Sequence, residues 1–237
     1  NFTLKKISDG TGFADFSEDF SSSDFNSSIY DGDFSNWEFF KYTQLVSRPV
    51  LDPEIKDGKV YITTRDMQRT HLVVGDESWS DYTVEADVRL EQSLDDAGKG
   101  IIVHFYENNI HYCNTPNHPQ AFICSDRFEL FLEGRNNVWY LRQYDRGDYE
   151  DGDYFPPPIL IGTGNISTTV LTLAVDYHIK IEIKDNMIKV YFNELDESPQ
   201  LLKEFTITEM PLRSGHVGFG GADSVISLDN VEVYPTP

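Results

Sequence analysis

The side chains best suited to chemistry lie at alternate positions of four short segments. In 101–106, Val103 and Phe105 alternate with His104 and Tyr106. Because successive residues of a β-strand point to opposite faces of a sheet, the apolar residues predict a buried face and the polar ones an outer face. The same alternation in 69–74, 128–133 and 138–144 gives an outward set of Arg69, His71, His104, Tyr106, Glu129, Glu133, Tyr140, Arg142 and Tyr144.

This set has the chemistry needed to bind a sugar. Aromatic rings offer a flat apolar surface to the C–H groups of a pyranose, and Arg, His and Glu can hydrogen-bond its hydroxyl groups. The interpretation requires that the four segments lie in one sheet. The alternative is that the set is an ordinary solvated face, because antiparallel sheets commonly turn one polar face to water.

The segments that would position these side chains are short strands separated by turn residues. The clearest is a hairpin, in which 177–183 and 187–193 alternate apolar and polar residues on either side of Asp185-Asn186. Further strands are predicted at 16–20, 37–40, 59–64, 69–74, 82–90, 100–107, 127–133, 138–144, 169–175 and 227–234. The acidic, proline-containing segment 145–158 is predicted to be a long loop. The pattern indicates an all-β sandwich of two antiparallel sheets.

Three C-terminal segments resemble, in order and spacing, the concanavalin A-like lectin/glucanase superfamily. They are the hairpin, the segment from Ser214 to Gly220 and the closing strand 227–234, and the strand 82–90 is similar to an earlier strand of that fold. The similarity is greatest to laminin-G-like domains, levan-binding modules and related sugar hydrolases. The resemblance implies a jelly roll that binds sugar on the concave outer face of one sheet.

Length and charge limit the classes of protein that fit. A chain of 237 residues with 39% hydrophobic content can bury one large core, so we expect 1–237 to form a single domain. Forty acidic and nineteen basic side chains give a formal charge of −21, which disfavours nucleic acid or an anionic membrane surface as a partner. No window reaches the roughly 18 apolar residues of a membrane span, so insertion is not expected. The final Tyr234-Pro235-Thr236-Pro237 could begin a linker to further modules or be a frayed terminus.

The two cysteines, Cys113 and Cys124, bound a segment that contains two prolines. We predict that they close this segment as a loop by forming a disulfide, which is typical of secreted proteins. The alternative is a metal site with His111 and His118, although zinc sites normally use more closely spaced cysteines. The disulfide therefore supports an extracellular protein.

The resemblance also implies a structural calcium ion between the first and last strands. Glu18, Asp19 and Asp229 match those places and supply the oxygen ligands that calcium prefers. The alternative is that they are ordinary acids at strand ends, which are common in so acidic a chain.

A retaining endo-glycosidase is one enzymatic alternative within this superfamily. Such enzymes place two catalytic glutamates in a Glu-x-Asp-x-Glu strand, and Glu129 and Glu133 have that spacing. The middle position is Phe131, however, so the aspartate that tunes the nucleophile is missing. The sequence favours solvated charges over catalysis by this pair.

A polysaccharide lyase that acts by β-elimination is the second enzymatic alternative. It needs a His or Tyr base and an Arg that neutralises the uronate carboxylate. His104, Tyr106 and Arg142 supply these types, but the Arg-rich and Gln-x-His strands of alginate lyases are absent.

The sequence therefore predicts a secreted domain that recognises a polysaccharide or oligosaccharide on the outer face of one sheet. A degradative enzyme of the same fold is the first alternative. A protein-binding laminin-G-like adhesion domain is the second, and it would expose an apolar patch instead of a polar aromatic groove.

Overall fold

The computed structural model describes residues 16–18, 37–41, 51, 53–64, 70–94, 99–115, 118–145, 157–166, 171–195, 197–207 and 212–237. Within these ranges, the side chains of 16–18, 37–41, 70–71, 111–115 and 118–123 are not described. This part of the chain contains no helix that is long and apolar enough to cross a membrane.

The described residues form strands joined by turns and loops. The strands are β1 (Phe16–Glu18), β2 (Trp37–Lys41), β3 (Glu54–Lys56), β4 (Lys59–Thr63), β5 (Thr70–Val74), β6 (Tyr82–Ser93), β7 (Gly100–Thr115), β8 (His118–Glu133), β9 (Val138–Tyr144), β10 (Ile159–Asn165), β11 (Asp176–Lys184), β12 (Met187–Glu194), β13 (Leu201–Thr206), β14 (His216–Ala222) and β15 (Ser224–Pro235).

The strands form two antiparallel sheets. The eight-stranded sheet has the order β13-β12-β11-β6-β15-β4-β3, and β1 also pairs with β15. The seven-stranded sheet has the order β10-β9-β8-β7-β14-β5-β2. The first strand thus lies beside the last, with Phe16 opposite Val233. The predicted all-β, two-sheet antiparallel jelly-roll sandwich is confirmed.

The hydrophobic core lies between the two sheets, where the alternation predicted it. Phe105 and Phe128 are both fully buried, and their rings stack with centroids 5.4 Å apart. Other core residues of the seven-stranded sheet include Leu72, Ile101, Val103, Leu130, Leu132, Trp139 and Leu141. Because burial of one large apolar side chain contributes about 1.5–3 kcal/mol, these inward faces fix which residues face outward.

The hairpin predicted from alternation is present as β11 and β12. Ile181 lies opposite Val190 and Ile183 opposite Ile188, all in the core. Asp185 has a φ of 53°, the left-handed conformation that short hairpin turns require.

One predicted strand is wrong, and three strands, β3, β10 and β13, were not predicted. The described part of 169–175 forms no strand, since Ala174 lies in a turn with a φ of 61°. Strand β10 lies earlier in the chain than this predicted strand. It was not predicted because it contains two glycines, Gly162 and Gly164, and glycine weakens the sequence pattern of a strand. Both glycines are required by close packing, because a Cβ would lie 2.5 Å from the Phe205 ring at Gly162 and 2.9 Å from the Trp139 ring at Gly164.

The segment between the cysteines is a hairpin and not the loop that we expected. Strands β7 and β8 continue to Thr115 and His118, which lie opposite each other. Cys113 lies opposite Phe122 and Cys124 opposite His111, so the cysteines are on paired strands. Cys124 is fully buried.

The bond between Cys113 and Cys124 stays a prediction, since the side chain of Cys113 is not described. We expect the unfolded, unreduced protein to show no free thiol on titration. We also expect reduction to lower stability by about 2–3 kcal/mol, because a bridge across a segment of this length restricts the unfolded chain. Two titratable thiols before reduction would rule the bond out.

Candidate functional site

The seven-stranded sheet carries most of the predicted outward side chains on its outer face. Strand pairing places His104 opposite Glu129, and Glu129 opposite Arg142. In the next outward row, Phe131 lies opposite Tyr140. The structure therefore brings these three strands together with their polar residues on one face.

The centre of this face is a buried charge network, formed by His104, Glu107, Arg127 and Glu129. All four residues are at most 1% exposed. His104 Nδ1 lies 3.3 Å from Glu107 Oε2, and His104 Nε2 lies 3.4 Å from Glu129 Oε2. The guanidinium of Arg127 lies 3.9 Å from Glu107 and 3.7 Å from Glu129. Two carboxylates are therefore held below the surface between an imidazole and a guanidinium.

Two neighbouring hydroxyl groups add hydrogen bonds to this network. Ser125 donates to Glu107 over 2.7 Å and accepts from Arg127 Nη1 over 2.6 Å. Tyr144 donates to Glu129 Oε1 over 3.1 Å. The guanidinium of Arg127 also lies 4.2 Å from the centre of the Tyr144 ring, a cation–π contact. Tyr144 thus points to the outer face as predicted, but its side chain is buried against the charge network.

Three residues of this site were not predicted from the sequence, namely Glu107, Ser125 and Arg127. Arg127 and Ser125 have the same parity as Glu129 along β8, so the alternation argument could have found them. The orientation of Glu107 could not be predicted from alternation, because the pairing of β7 with β8 shifts register between Phe105 and Asn108.

The accessible part of the face is an aromatic platform, formed by Phe131, Tyr140 and Arg142. The two rings are stacked, with centroids 6.0 Å apart and planes 22° apart. The guanidinium of Arg142 lies 4.7 Å from the Tyr140 ring centre and 5.6 Å from that of Phe131. All three residues are partly exposed, and the side chain of Arg142 is 23% exposed.

The platform is tied to the buried charge network through Arg142. Its Nη1 lies 3.5 Å from Glu129 Oε1, the same oxygen that accepts from Tyr144. On the side of β10, Leu160 lies opposite Arg142 and is 55% exposed. The platform therefore ends one strand from the open edge of the sheet.

Glu133 lies at the other end of the platform and is only 6% exposed. Its carboxylate accepts from Asn136 Nδ2 over 3.0 Å and lies 3.5 Å from the Tyr140 hydroxyl. It is two outward positions away from Glu129 on β8, with the Phe131 ring between them. Neither carboxylate is the freely solvated charge that the sequence favoured.

The outward placement predicted for Tyr106 is wrong. Its ring is 1% exposed and belongs to the core, where it meets the Tyr82 ring edge-on with centroids 5.3 Å apart. Tyr106 has a φ of 50°, and the β7–β8 register shifts directly after Phe105. Such a bulge changes which face a residue points to, so the alternation argument fails there. Burial raises the pKa of Tyr106 to about 12.

The remaining two residues of the predicted set cannot be assigned to the site. His71 lies in β5 opposite Phe40, at the far side of β14 from the buried charge network, and its side chain is not described. Arg69 lies outside the described residues.

The calcium site implied by the resemblance stays a prediction. β1 pairs with β15, and Glu18 lies opposite Val231, two residues from Asp229. Asp229 Oδ1 accepts from the Asn230 backbone N–H. Asp19 and the side chain of Glu18 lie outside the described residues, among which no group of three metal-binding side chains occurs. The donor types and the strand pairing fit calcium, but the ligand geometry is not described.

Chelation tests this calcium ion directly. We expect excess chelator to lower the melting temperature without abolishing sugar binding, because a calcium ion that binds only the folded chain stabilises it. The contribution is about 2.7 kcal/mol at a hundredfold excess over the dissociation constant. An unchanged melting temperature in excess chelator would contradict the predicted calcium site.

Comparison with known proteins agrees with this architecture. No protein-family model matches the chain, and no curated protein matches it. Among solved structures, the carbohydrate-binding module CBM66 from Bacillus subtilis is similar, with a TM-score of 0.54, 11% identity and coverage of 81% of this chain and 92% of that one. The metal-free lectin I-B4 from Griffonia simplicifolia has a TM-score of 0.56, 9% identity and coverage of 93% and 98%.

The exoplasmic/lumenal domain of VIP36, in a form bound to Ca²⁺ and Man3GlcNAc, is also similar. Its TM-score is 0.54 at 10% identity, over 84% of this chain and 82% of that one. At such low identity the likeness concerns the fold alone, since one fold hosts many functions. The chain has the antiparallel two-sheet sandwich fold of these structures, which include a carbohydrate-binding module, a lectin and a protein with a galectin-like fold.

Proposed function

We propose that this protein is a secreted, single-domain carbohydrate-binding protein, and that it holds a polysaccharide or oligosaccharide on the aromatic platform. The observation that carries the proposal is the pair of stacked rings, Phe131 and Tyr140, partly exposed beside the guanidinium of Arg142. The rings offer an apolar surface to sugar C–H groups, and the guanidinium offers donors to hydroxyl groups.

The buried charge network supports the platform from below. Glu129 fixes the guanidinium of Arg142 through a contact of 3.5 Å, and Tyr144 and Arg127 fix Glu129 in turn. A donor held in place before binding loses less conformational freedom when the sugar arrives. The solved structures with a similar fold include a carbohydrate-binding module and a lectin, which supports this class of ligand.

Burial favours binding over β-elimination by the residues that a lyase would use. His104 is fully buried between two carboxylates, and Tyr106 lies in the core. A general base must come within hydrogen-bond reach of the proton that it removes. Of the three lyase candidates, Arg142 alone is partly exposed at the platform.

The test is a panel of laminarin, levan, xylan, mannan, pectate and alginate, each incubated with the purified protein. We expect retention on at least one of these glycans, without unsaturated products by absorbance and without new reducing ends. Retention on none of them would contradict carbohydrate binding. Unsaturated products or reducing ends that increase with time would show that the protein is an enzyme and not only a binding protein.

A further inference from the structure

Among the residues that the structure describes, the charges around the aromatic platform are balanced, although one of its partly exposed polar groups is a cation. Arg142 is the only cationic side chain among the three platform residues, and its Nη1 lies 3.5 Å from Glu129. At the other end, the carboxylate of Glu133 lies 3.5 Å from the Tyr140 hydroxyl. The guanidinium is therefore paired with one carboxylate, and a second carboxylate lies at the other end of the platform, where Glu133 pairs with Val138.

The layer below adds no excess of positive charge. Arg127 is shared between Glu107 and Glu129, at 3.9 and 3.7 Å. His104 also lies between these two carboxylates. Beyond this face, the whole chain has a formal charge of −21, which raises the cost of bringing a polyanion close.

A carboxylate ligand would need a cation that is not already paired. Carboxylates are bound strongly when an arginine can give them both its charge and two parallel hydrogen bonds. Here a uronate placed on Arg142 would lie near the carboxylate of Glu129, and like charges brought together at an interface repel each other. A neutral sugar meets no such cost and can still accept hydrogen bonds from the guanidinium.

We infer that the aromatic platform selects neutral glycans over uronic-acid glycans, and that Glu129 enforces this choice by balancing the charge of Arg142. The inference rests on the proposed function and names the chemical class of its ligand. The sugar stacks on Phe131 and Tyr140 while Arg142 donates to its hydroxyl oxygens. Glu129 is a positioning residue, since it is buried and acts through Arg142.

The test uses pairs of polymers that share a backbone and differ in charge. The pairs are hydroxyethyl cellulose with carboxymethyl cellulose, methyl-esterified pectin with pectate, and carboxyl-reduced alginate with alginate. In each pair that binds, we expect the neutral member to bind at least about tenfold more tightly, which corresponds to a difference of about 1.4 kcal/mol. We expect the preference to persist in about 1 M salt, where the Debye length of about 3 Å removes long-range repulsion.

A charge-neutral substitution separates the local charge from the net charge. Glu129→Gln keeps the shape of the side chain and frees the charge of Arg142, so we expect the neutral preference to fall severalfold. The matched control is Glu182→Gln, on the other sheet, which changes the net charge equally and should leave the preference unchanged. Melting curves establish that each variant folds. If Glu129→Gln does not fold, Glu133→Gln is expected to change the preference in the same direction.

The outcomes distinguish this inference from the proposed function. Acidic members that bind as tightly as their neutral partners, at low or high salt, overturn the selection of neutral glycans and leave carbohydrate binding intact. An equal shift in Glu129→Gln and Glu182→Gln overturns the role of Glu129. Failure to bind any polymer of the panel or the pairs overturns the proposed function and this inference with it.

Discussion

Replacement of Arg127 by methionine is expected to lower the free energy of unfolding by about 3–5 kcal/mol. Arg127 is 1% exposed, and its guanidinium lies between the carboxylates of Glu107 and Glu129. Methionine fills a similar volume but leaves both carboxylates without their shared cation. An uncompensated buried charge costs more than the loss of the packing contacts. Denaturation in urea, read by fluorescence, measures the change.

The matched control is Arg142→Met on the same face. Arg142 contacts Glu129 from the partly exposed side, where an ion pair contributes about 0–1 kcal/mol. We expect a loss of stability below about 1 kcal/mol for this variant. Equal and small effects of the two substitutions would show that the buried charge network does not depend on Arg127.

Replacement of Tyr106 by alanine is expected to cost about 3–5 kcal/mol of stability, the range for removal of a large buried ring. The ring is 1% exposed and packs edge-on against Tyr82. Its hydroxyl oxygen also accepts from the Asp81 backbone N–H over 3.0 Å. Thermal and urea denaturation measure the loss.

Tyr106→Phe is the control for the hydroxyl group. It keeps the ring and removes one hydrogen bond, so we expect a loss of about 1 kcal/mol. Glycan binding by the folded fraction should be unchanged in both variants. A Tyr106→Ala variant that is as stable as the parent but binds glycan more weakly would contradict the core position of Tyr106 and indicate that its side chain lies on the outer face.

Regular strands could be predicted from the sequence, because a buried face imposes a strict period of two. Val103, Phe105, Leu130 and Leu141 all lie in the core, as their alternation indicated. The β9 boundaries, Val138–Tyr144, are those predicted. Where hydrophobic burial alone decides orientation, the pattern is sufficient.

Alternation along the sequence did not predict side-chain orientation where the backbone departs from a regular strand. Tyr106 follows a β-bulge, and nothing in its neighbours' side chains indicates a φ of 50°. Strand β10 contains Gly162 and Gly164, whose role depends on Trp139 and Phe205 from distant parts of the chain. Such packing is a property of the folded structure and has no local signal.

The exposure of the site residues was also not predictable. His104 and Glu129 have the parity of an outer face, yet both are fully buried. Polar side chains can be buried when they are paired and hydrogen-bonded, and parity along a strand does not report whether partners are present. The proposed binding surface is therefore smaller than the predicted set, and it includes Phe131, which was not among the predicted site residues.

The affinity of the Tyr140→Ala variant for a glycan that retains the parent protein tests the proposed sugar site on the aromatic platform most directly. Isothermal titration compares the parent protein, Tyr140→Ala and the control Tyr191→Ala, a partly exposed tyrosine on β12 of the other sheet. We expect Tyr140→Ala to weaken binding by about 1–3 kcal/mol, through loss of the stacking ring, with little change in stability. Tyr191→Ala should bind as the parent does. Unchanged affinity in Tyr140→Ala, or an equal loss in both variants, would contradict a sugar site on the aromatic platform.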